Sequence, residues 1–207
     1  MPECRYTLLK SGRAELEEKK SRFLAQSFFV RSEAEIAEIL AAVRKEHYDA
    51  RHVCSAYVLF GNPPLEKSSD DGEPAKTAGL PMLDLLRAAS LCNTLVTVTR
   101  YFGGIKLGAG GLVRAYTDTV ATALQQAERV PIIRQVVLGC RVGYELEGAL
   151  RRELAAREGV LLDVAHAADV SVQLQLPEPQ AEAFRTWLDD AGHGRVQWFE
   201  PEKADEA

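Results

Sequence analysis

Five glycines fall within residues 103–111, in the stretch Arg100-Tyr-Phe-Gly-Gly-Ile-Lys-Leu-Gly-Ala-Gly-Gly-Leu-Val-Arg114. They constrain the chain on both sides. Upstream, Leu95–Val98 is apolar and reads as part of a strand over Thr94–Phe102; downstream, Leu112, Tyr116, Val120, Leu124 and Ala127 give the 3.6-residue stripe of a helix starting near Gly110. Glycine takes positive φ and lets another backbone or a ligand come close. A Gly-rich turn entering a helix leaves orphan N–H groups and a partial positive charge pointing outward, a ready anion site. Arg100, Lys106 and Arg114 surround it with cations. Arg100 shares strand parity with Val96 and Val98, so a charge ends an apolar face and needs a reason. The same glycines also suit a tight turn with close helix–sheet packing, the cations then being solvated.

Two nucleotide motifs are excluded by spacing. A P-loop needs Lys and then Ser or Thr after its second glycine, but Ala109 and Gly110 follow Gly108. The dinucleotide pattern G-x-G-x-x-G begins at Gly108 and Gly110 but meets Val113. No cofactor is therefore expected.

A second polar cluster is Ser68-Ser-Asp-Asp-Gly-Glu-Pro-Ala-Lys-Thr77, within a stretch, residues 61–78, that reads as a long loop. Asp70, Asp71 and Glu73 suit a partner's arginine or a base amino group better than a metal, and Asp71-Gly72 suits a turn. A third is His47-Tyr-Asp-Ala-Arg-His-Val-Cys54, where a hydrolase reading competes with a surface groove contacted by Arg51 and His52. The groove is preferred. His47 and His52 are five residues apart across a helix–strand junction, and Cys54 sits in an apolar strand. No catalytic or metal-binding set is assigned.

The 207 residues carry a net charge of −5, split into +1 over residues 1–130 and −6 over residues 131–207. This excludes charge-driven coating of nucleic acid but leaves a local basic site on the first part. No apolar run approaches the roughly 20 residues that span a bilayer, and Met1–Thr7 lacks the apolar core of a signal peptide, so no membrane association and a cytoplasmic location are expected. Cys4, Cys54, Cys92 and Cys140 are scattered without C-x-x-C pairs and read as buried free thiols.

The rhythm of the chain places an α/β unit over 1–130 and a second unit over 131–207, with Arg129-Val-Pro131 between them. The first unit opens with strands over Glu15–Lys20 and Ser21–Val30. Ser32 and Glu35 announce a helix through a capping box, Val53–Phe60 is a strand, and Pro81 opens a helix over Met82–Leu91. The second unit reads βαββαβ, a ferredoxin-like order, with Val170, Val172, Leu174 and Leu176 alternating against Ser171, Gln173 and Gln175. The charged tail, Glu200–Ala207, is expected to fray.

Lys20-Ser-Arg-Phe23, Asp49-Ala-Arg-His52, Ser69-Asp-Asp-Gly-Glu-Pro74 with Ala78-Gly and Pro81-Met82, and Arg100–Gly108 with Gly110–Tyr116 together resemble the YigZ/IMPACT family over most of residues 19–125. The resemblance implies an α+β protein. Its N-terminal domain is of the ribosomal-protein and elongation-factor-G domain-IV type, with a βαβ core, and its C-terminal domain is like the ferredoxin-fold domains of elongation factor G. Eukaryotic members regulate translation mainly through protein contacts that need a further N-terminal domain, which is not expected in this sequence. Bacterial members look like nucleic-acid- or ribosome-associated proteins. The leading expectation is a non-enzymatic RNA- or ribosome-binding protein with a role in translation regulation. Its contacts are Arg100, Lys106 and Arg114 on phosphates, helped by the backbone of Gly103, Gly104, Gly108, Gly110 and Gly111. Tyr101 or Phe102 stacks on a base, and Arg51, His52, Asp70, Asp71, Gly72 and Glu73 shape the groove. The alternatives are a small-molecule phosphate-binding enzyme, kinase- or hydrolase-like, and a protein-interaction module using the acidic loop.

Overall fold

The computed structural model describes residues 4–200, so the expected fraying beyond residue 200 lies outside the described residues. The chain divides into two compact units, the first ending at Ile132 and the second starting at Ile133. No helix among the described residues is long and apolar enough to cross a membrane.

The first unit is built on a five-stranded antiparallel sheet. Its strands are β2 (Arg13–Glu18), β3 (Ser21–Phe29), β4 (His52–Leu59), β5 (Leu65–Ser69) and β6 (Thr94–Tyr101), in the order β2-β3-β6-β4-β5. Helices cover both faces. α2 (Gly79–Ala88) and α3 (Ala109–Gln126) lie over the larger core, where Phe23, Cys54, Val98, Met82, Leu86 and Val120 are buried. α1 (Glu33–Glu46) lies on the other face, where Ile36 is buried with Tyr57, Leu59 and Leu95. This two-sided cover explains why β4 and β6 are buried nearly throughout, whereas β2 at the edge is exposed along most of its length. A short ribbon pairs β1 (Tyr6–Lys10) with β7 (Glu128–Pro131).

The expected cap of α1 forms. The Ser32 hydroxyl accepts from the Glu35 N–H at 3.3 Å, while the Glu35 carboxylate reaches one residue further back than a capping box requires, to the Arg31 N–H at 2.6 Å. Four expectations change. β1 forms where no strand was read. Residues 65–69, read as loop, form β5, an edge strand whose Glu, Lys and Ser residues hide it from an apolar pattern. α2 starts at Gly79, so Pro81 sits inside its first turn, where the missing N–H has no helical partner to lose. Cys4 and Cys92 are joined as a disulfide with Cα atoms 5.4 Å apart, although 88 residues separate them in sequence. Folding brings them together because β1 runs beside the turn entering β6, where the Cys92 N–H donates to the Tyr6 carbonyl at 2.9 Å. Cys54 and Cys140 are the expected buried thiols.

The second unit contains β8 (Gln135–Val142), α4 (Tyr144–Ala156), β9 (Val160–His166), β10 (Val170–Pro177), α5 (Glu178–Ala191) and β11 (Gln197–Phe199). All neighbours are antiparallel in the order β11-β8-β10-β9, the interleaved ferredoxin-like sheet. Val170, Val172, Leu174 and Leu176 are buried against Leu150, Leu154, Phe184 and Leu188 of the two helices, as their alternation requires.

Residues 129–131 belong to β7, and the Ile132 N–H closes the ribbon on the Arg5 carbonyl at 2.8 Å. A fragment ending at Ile132 keeps these bonds and its whole core, so we expect it to melt cooperatively and show dispersed amide resonances. A fragment ending at Gln126 loses the partner of β1 and should melt several degrees lower. A molten 1–132 fragment would overturn the independence of the first unit.

Candidate nucleic-acid interface

Three side chains align across the sheet at one end of the larger core. Phe23 on β3, Arg100 on β6 and His52 on β4 are register partners and share the face that carries α2 and α3. The loop after β5 lowers Glu73 onto this row, and α3 brings Tyr116 from above. Arg100 Nη1 donates to Glu73 Oε1 at 2.6 Å, and the Tyr116 hydroxyl donates to the same oxygen at 2.8 Å. The Arg100 guanidinium also lies 5.4 Å from the Phe23 ring centroid and 5.5 Å from that of Phe102. Parity put a cation on an apolar face, and this ion pair is the reason for it. Arg100 is only 6 % exposed, so it is not the free surface cation expected from the sequence; its Nε has no hydrogen-bond partner.

A cavity of about 390 Å³ opens beside this row. His52, Glu73 and Arg100 form its polar side, and Pro74, Phe102, Leu107 and Leu112 its apolar side. Arg51, Lys106 and the Gly108–Ala109 entrance of α3 stand at its rim. Gly108 has φ +74° and carries no side chain to cap the helix, so the first N–H groups of α3 face outward without a side-chain acceptor. Arg51 and Lys106 are exposed and make no ion pair among the described residues. The His52 Nδ1 donates to the Asp71 carbonyl at 2.7 Å. A carbonyl can only accept, so this bond fixes the proton on Nδ1 and leaves Nε2 as the ring's other polar atom.

The structure thus gathers Arg51, His52, Glu73, Arg100, Phe102, Lys106 and Gly108 from all three sequence clusters. It separates others from them. Asp70 accepts from the N–H groups of Lys76 at 2.8 Å, Ala78 at 3.0 Å and Gly79 at 2.8 Å. It caps α2 from a distance, because Ala78 at the N-cap position has no side-chain acceptor. Burial pushes the Asp70 carboxyl up, but these N–H bonds outweigh it and hold the group below the usual carboxylate range. Asp71 accepts from Arg44 at 2.6 Å and from the Val53 N–H at 2.7 Å. Burial raises its carboxyl too, and the Arg44 and Val53 bonds bring it below the ordinary range. Both carboxylates serve the fold and do not line the cavity. Gly72 has φ +84°, and a Cβ there would stand 3.5 Å from the His52 ring. Tyr101 lies on the α1 face, its hydroxyl 2.9 Å from His47 Nδ1, so only Phe102 of the aromatic pair reaches the cavity. Gly103 packs directly on the Lys20–Ser21 backbone, where any Cβ would collide, and Gly104 (φ +86°) is open to solvent. Gly110 and Gly111 form the first turn of α3, and Arg114 is exposed outside the cavity without pairing to Asp118.

Sequence reasoning missed the apolar wall of Pro74, Leu107 and Leu112, which reads as ordinary loop and helix core. It also took Tyr116 only as a stripe residue. Its hydroxyl on an otherwise apolar face was the available signal. Burial pushes the Cys54 thiol up to about 12, and it donates to the Asp70 carbonyl at 3.0 Å. Among the described residues no three His, Cys, Asp or Glu side chains are placed to hold a metal.

A two-unit α+β protein with a cation-rimmed cavity beside a buried Arg–Glu pair is the class that these features define. The Impact N-terminal domain pattern matches residues 19–124, and the pattern described as Domain of unknown function (DUF1949) matches residues 140–195. The chain is 43 % identical over 184 residues to a Thermus thermophilus protein described as "IMPACT family member in pol 5'region", covering 88 % of this chain and 98 % of that one. It is 36 % identical over 184 residues to the Escherichia coli (strain K12) IMPACT family member YigZ, covering 86 % and 89 %. A crystal structure described as that of an hypothetical protein matches at TM-score 0.66 and 31 % identity, covering 99 % of this chain and 100 % of that one. The chain belongs to the IMPACT family.

Two measurements test the site's internal contacts. Asp71→Ala strands Arg44 and the Val53 N–H and should cost about 1–3 kcal/mol in denaturant unfolding. Asp70 and Asp71 lose their protons more readily folded than unfolded. Their stabilisation is therefore complete above the ordinary carboxylate value of about 3.9 and is lost as pH falls below it. In Asp71→Ala that acid-side loss should be smaller than in the wild type. Arg100→Ala leaves Glu73 buried without its cation and should cost about 3–5 kcal/mol, whereas the double variant Arg100→Met, Glu73→Leu should recover most of that. A melting temperature unchanged by Arg100→Ala would show that the pair carries no stability.

Proposed function

We propose that the cavity is the phosphate-contacting part of an RNA- or ribosome-binding surface, and that the protein acts in translation regulation without catalysing a reaction. The observation that carries this reading is the rim. Arg51 and Lys106, exposed and unpaired among the described residues, flank the side-chain-free entrance of α3. Two free cations and a helix N-terminus around one opening favour a polyanion. The +1 net charge of residues 1–130 makes such contact local rather than a general attraction. The elongation-factor-G likeness expected from the sequence points the same way.

Anisotropy titrations of the full chain with a short single-stranded RNA at several salt concentrations test it. Arg51→Ala and Lys106→Ala should each flatten the slope of log affinity against log salt by roughly 0.7, with the melting temperature unchanged. Arg114→Ala, outside the cavity, should have a smaller effect. Unchanged affinity and slope in the Arg51, Lys106 double variant would overturn the reading.

A further inference from the structure

The cations at the cavity rim have exposed neighbours that the site as described does not use. Glu18 and Ser21 are register partners, so Lys19 and Lys20 alone make the turn between β2 and β3. Their φ values are +48° and +63°. Two positive φ angles in a two-residue hairpin loop are the type I′ geometry, which Asn-Gly or Asp-Gly fits best. Left-handed backbone is uncommon for residues with a long side chain, and here two lysines adopt it in succession. Turn propensity does not explain that choice. Pairing does not explain it either, because both side chains are exposed and have no partner among the described residues. An unfavourable conformation kept without a local contact points to a role outside the fold.

The tip of this hairpin is fixed to the glycine loop. A Cβ on Gly103 would collide with the Lys20 carbonyl, and the Gly103 N–H donates to the Ser21 hydroxyl at 3.1 Å. The backbone that leads on to Lys106 therefore starts in contact with that of Lys20. Arg51 immediately precedes β4. β3, β6 and β4 are consecutive in the sheet, and Phe23, Arg100 and His52 are level across them. The hairpin tip and Arg51 thus stand at the same end of the sheet, two strand spacings or about 10 Å apart. We propose that Lys19 and Lys20 continue the rim cations into one track across this end, where Lys19, Lys20, Lys106 and Arg51 meet successive phosphates of one polynucleotide strand. The inference rests on the phosphate-contact reading of the rim and adds a second contact site and a direction. The span is on the order of three nucleotides at about 3.4 Å each, so the ligand is a strand and not a single nucleotide. The nearby carboxylates lie off this line. Glu17 and Glu18 are on β2, the edge strand on the side of the tip away from the cavity, and Glu15 is held by Arg22.

The test gives the turn the residues that its geometry prefers. Lys19→Asn with Lys20→Gly removes both cations and relieves the backbone, so this variant should melt at or above the wild-type temperature. Anisotropy of the full chain with a labelled short single-stranded RNA at several salt concentrations should show it binding more weakly. The slope of log affinity against log salt should flatten by roughly 1.4, about 0.7 for each lost contact. Lys19→Gln with Lys20→Gln should flatten it equally, and Lys19→Arg with Lys20→Arg should keep the wild-type slope. A slope lost in only one of the two neutral variants would trace the effect to the shape of the turn and overturn the proposal. An unchanged slope in both, while the Arg51, Lys106 double variant still flattens it, would overturn the track and leave the rim reading standing. The lysines would then only guard the edge of the sheet. No measurable RNA binding by the wild type would overturn both readings. Unlabelled nucleoside monophosphate should not compete at the affinity of the strand; if it does, one phosphate suffices and the track is overturned.

Discussion

The ion pair between Arg100 and Glu73 organises the cavity end of the first unit. Each side chain is nearly buried, so neither charge is tolerable alone, and each fixes a different part of the chain. Arg100 belongs to the central strand and cannot move without the sheet. Glu73 belongs to an irregular loop and would otherwise have no reason to enter the core. Tyr116 ties α3 to the same carboxylate oxygen. One oxygen thereby joins sheet, loop and helix, and the cavity is the space these three elements leave between them. A hydrophobic trio could fill the same volume but would not specify the loop's path so narrowly.

The loop between β5 and α2 repeats this economy. Asp70 and Asp71 are adjacent in sequence and do opposite jobs. Asp70 turns forward to the start of α2, and Asp71 turns back to Arg44 on α1 and the Val53 N–H on β4. The Asp71 carbonyl then orients His52. Two carboxylates that read as a ligand-binding pair are consumed by the fold, and that consumption delivers Glu73 and His52 to the cavity. Rigidity of this kind suits a binding site, because a ligand then meets groups already held in place.

Much of this was legible in the sequence, and the limits follow from particular residues. The βαββαβ order could be read because Val170, Val172, Leu174 and Leu176 face one buried side. The opening of α3 could be read because glycine and charge cluster where an apolar stripe begins. β5 could not be read, since Leu65-Glu-Lys-Ser-Ser is an edge strand paired on one side only. The disulfide could not be read either, because nothing local links Cys4 to Cys92; their meeting is a product of the packing of β1. Arg100 is the instructive case. Its parity announced that it lies on an apolar face, but its partner, Glu73, is 27 residues away in a stretch that reads as solvent-exposed loop. A burial pattern exposes the need for a counter-ion but cannot name it. Of the two aromatics, the alternation of β6 sends Tyr101 to the α1 face. Phe102, two residues after Arg100, comes back to the cavity face.

The second unit constrains function through its charge. Residues 131–207 carry a net −6 on a fold whose core is complete in itself. Its buried strand residues pack on α4 and α5, and three of its seven arginines are engaged with its own carboxylates: Arg151 with Glu147, Arg157 with Glu153 and Arg195 with Glu145. Cations held in such pairs have less field to spare for an anion than Arg51 and Lys106 at the cavity rim, which make no ion pair among the described residues. At physiological ionic strength exposed charges are screened beyond about 8 Å, so this acidity acts on what lies against the unit itself. It does repel a polyanion that tries to lie along the unit itself. On the proposed reading, a polyanion therefore meets less repulsion at the cavity rim of the first unit than along the second.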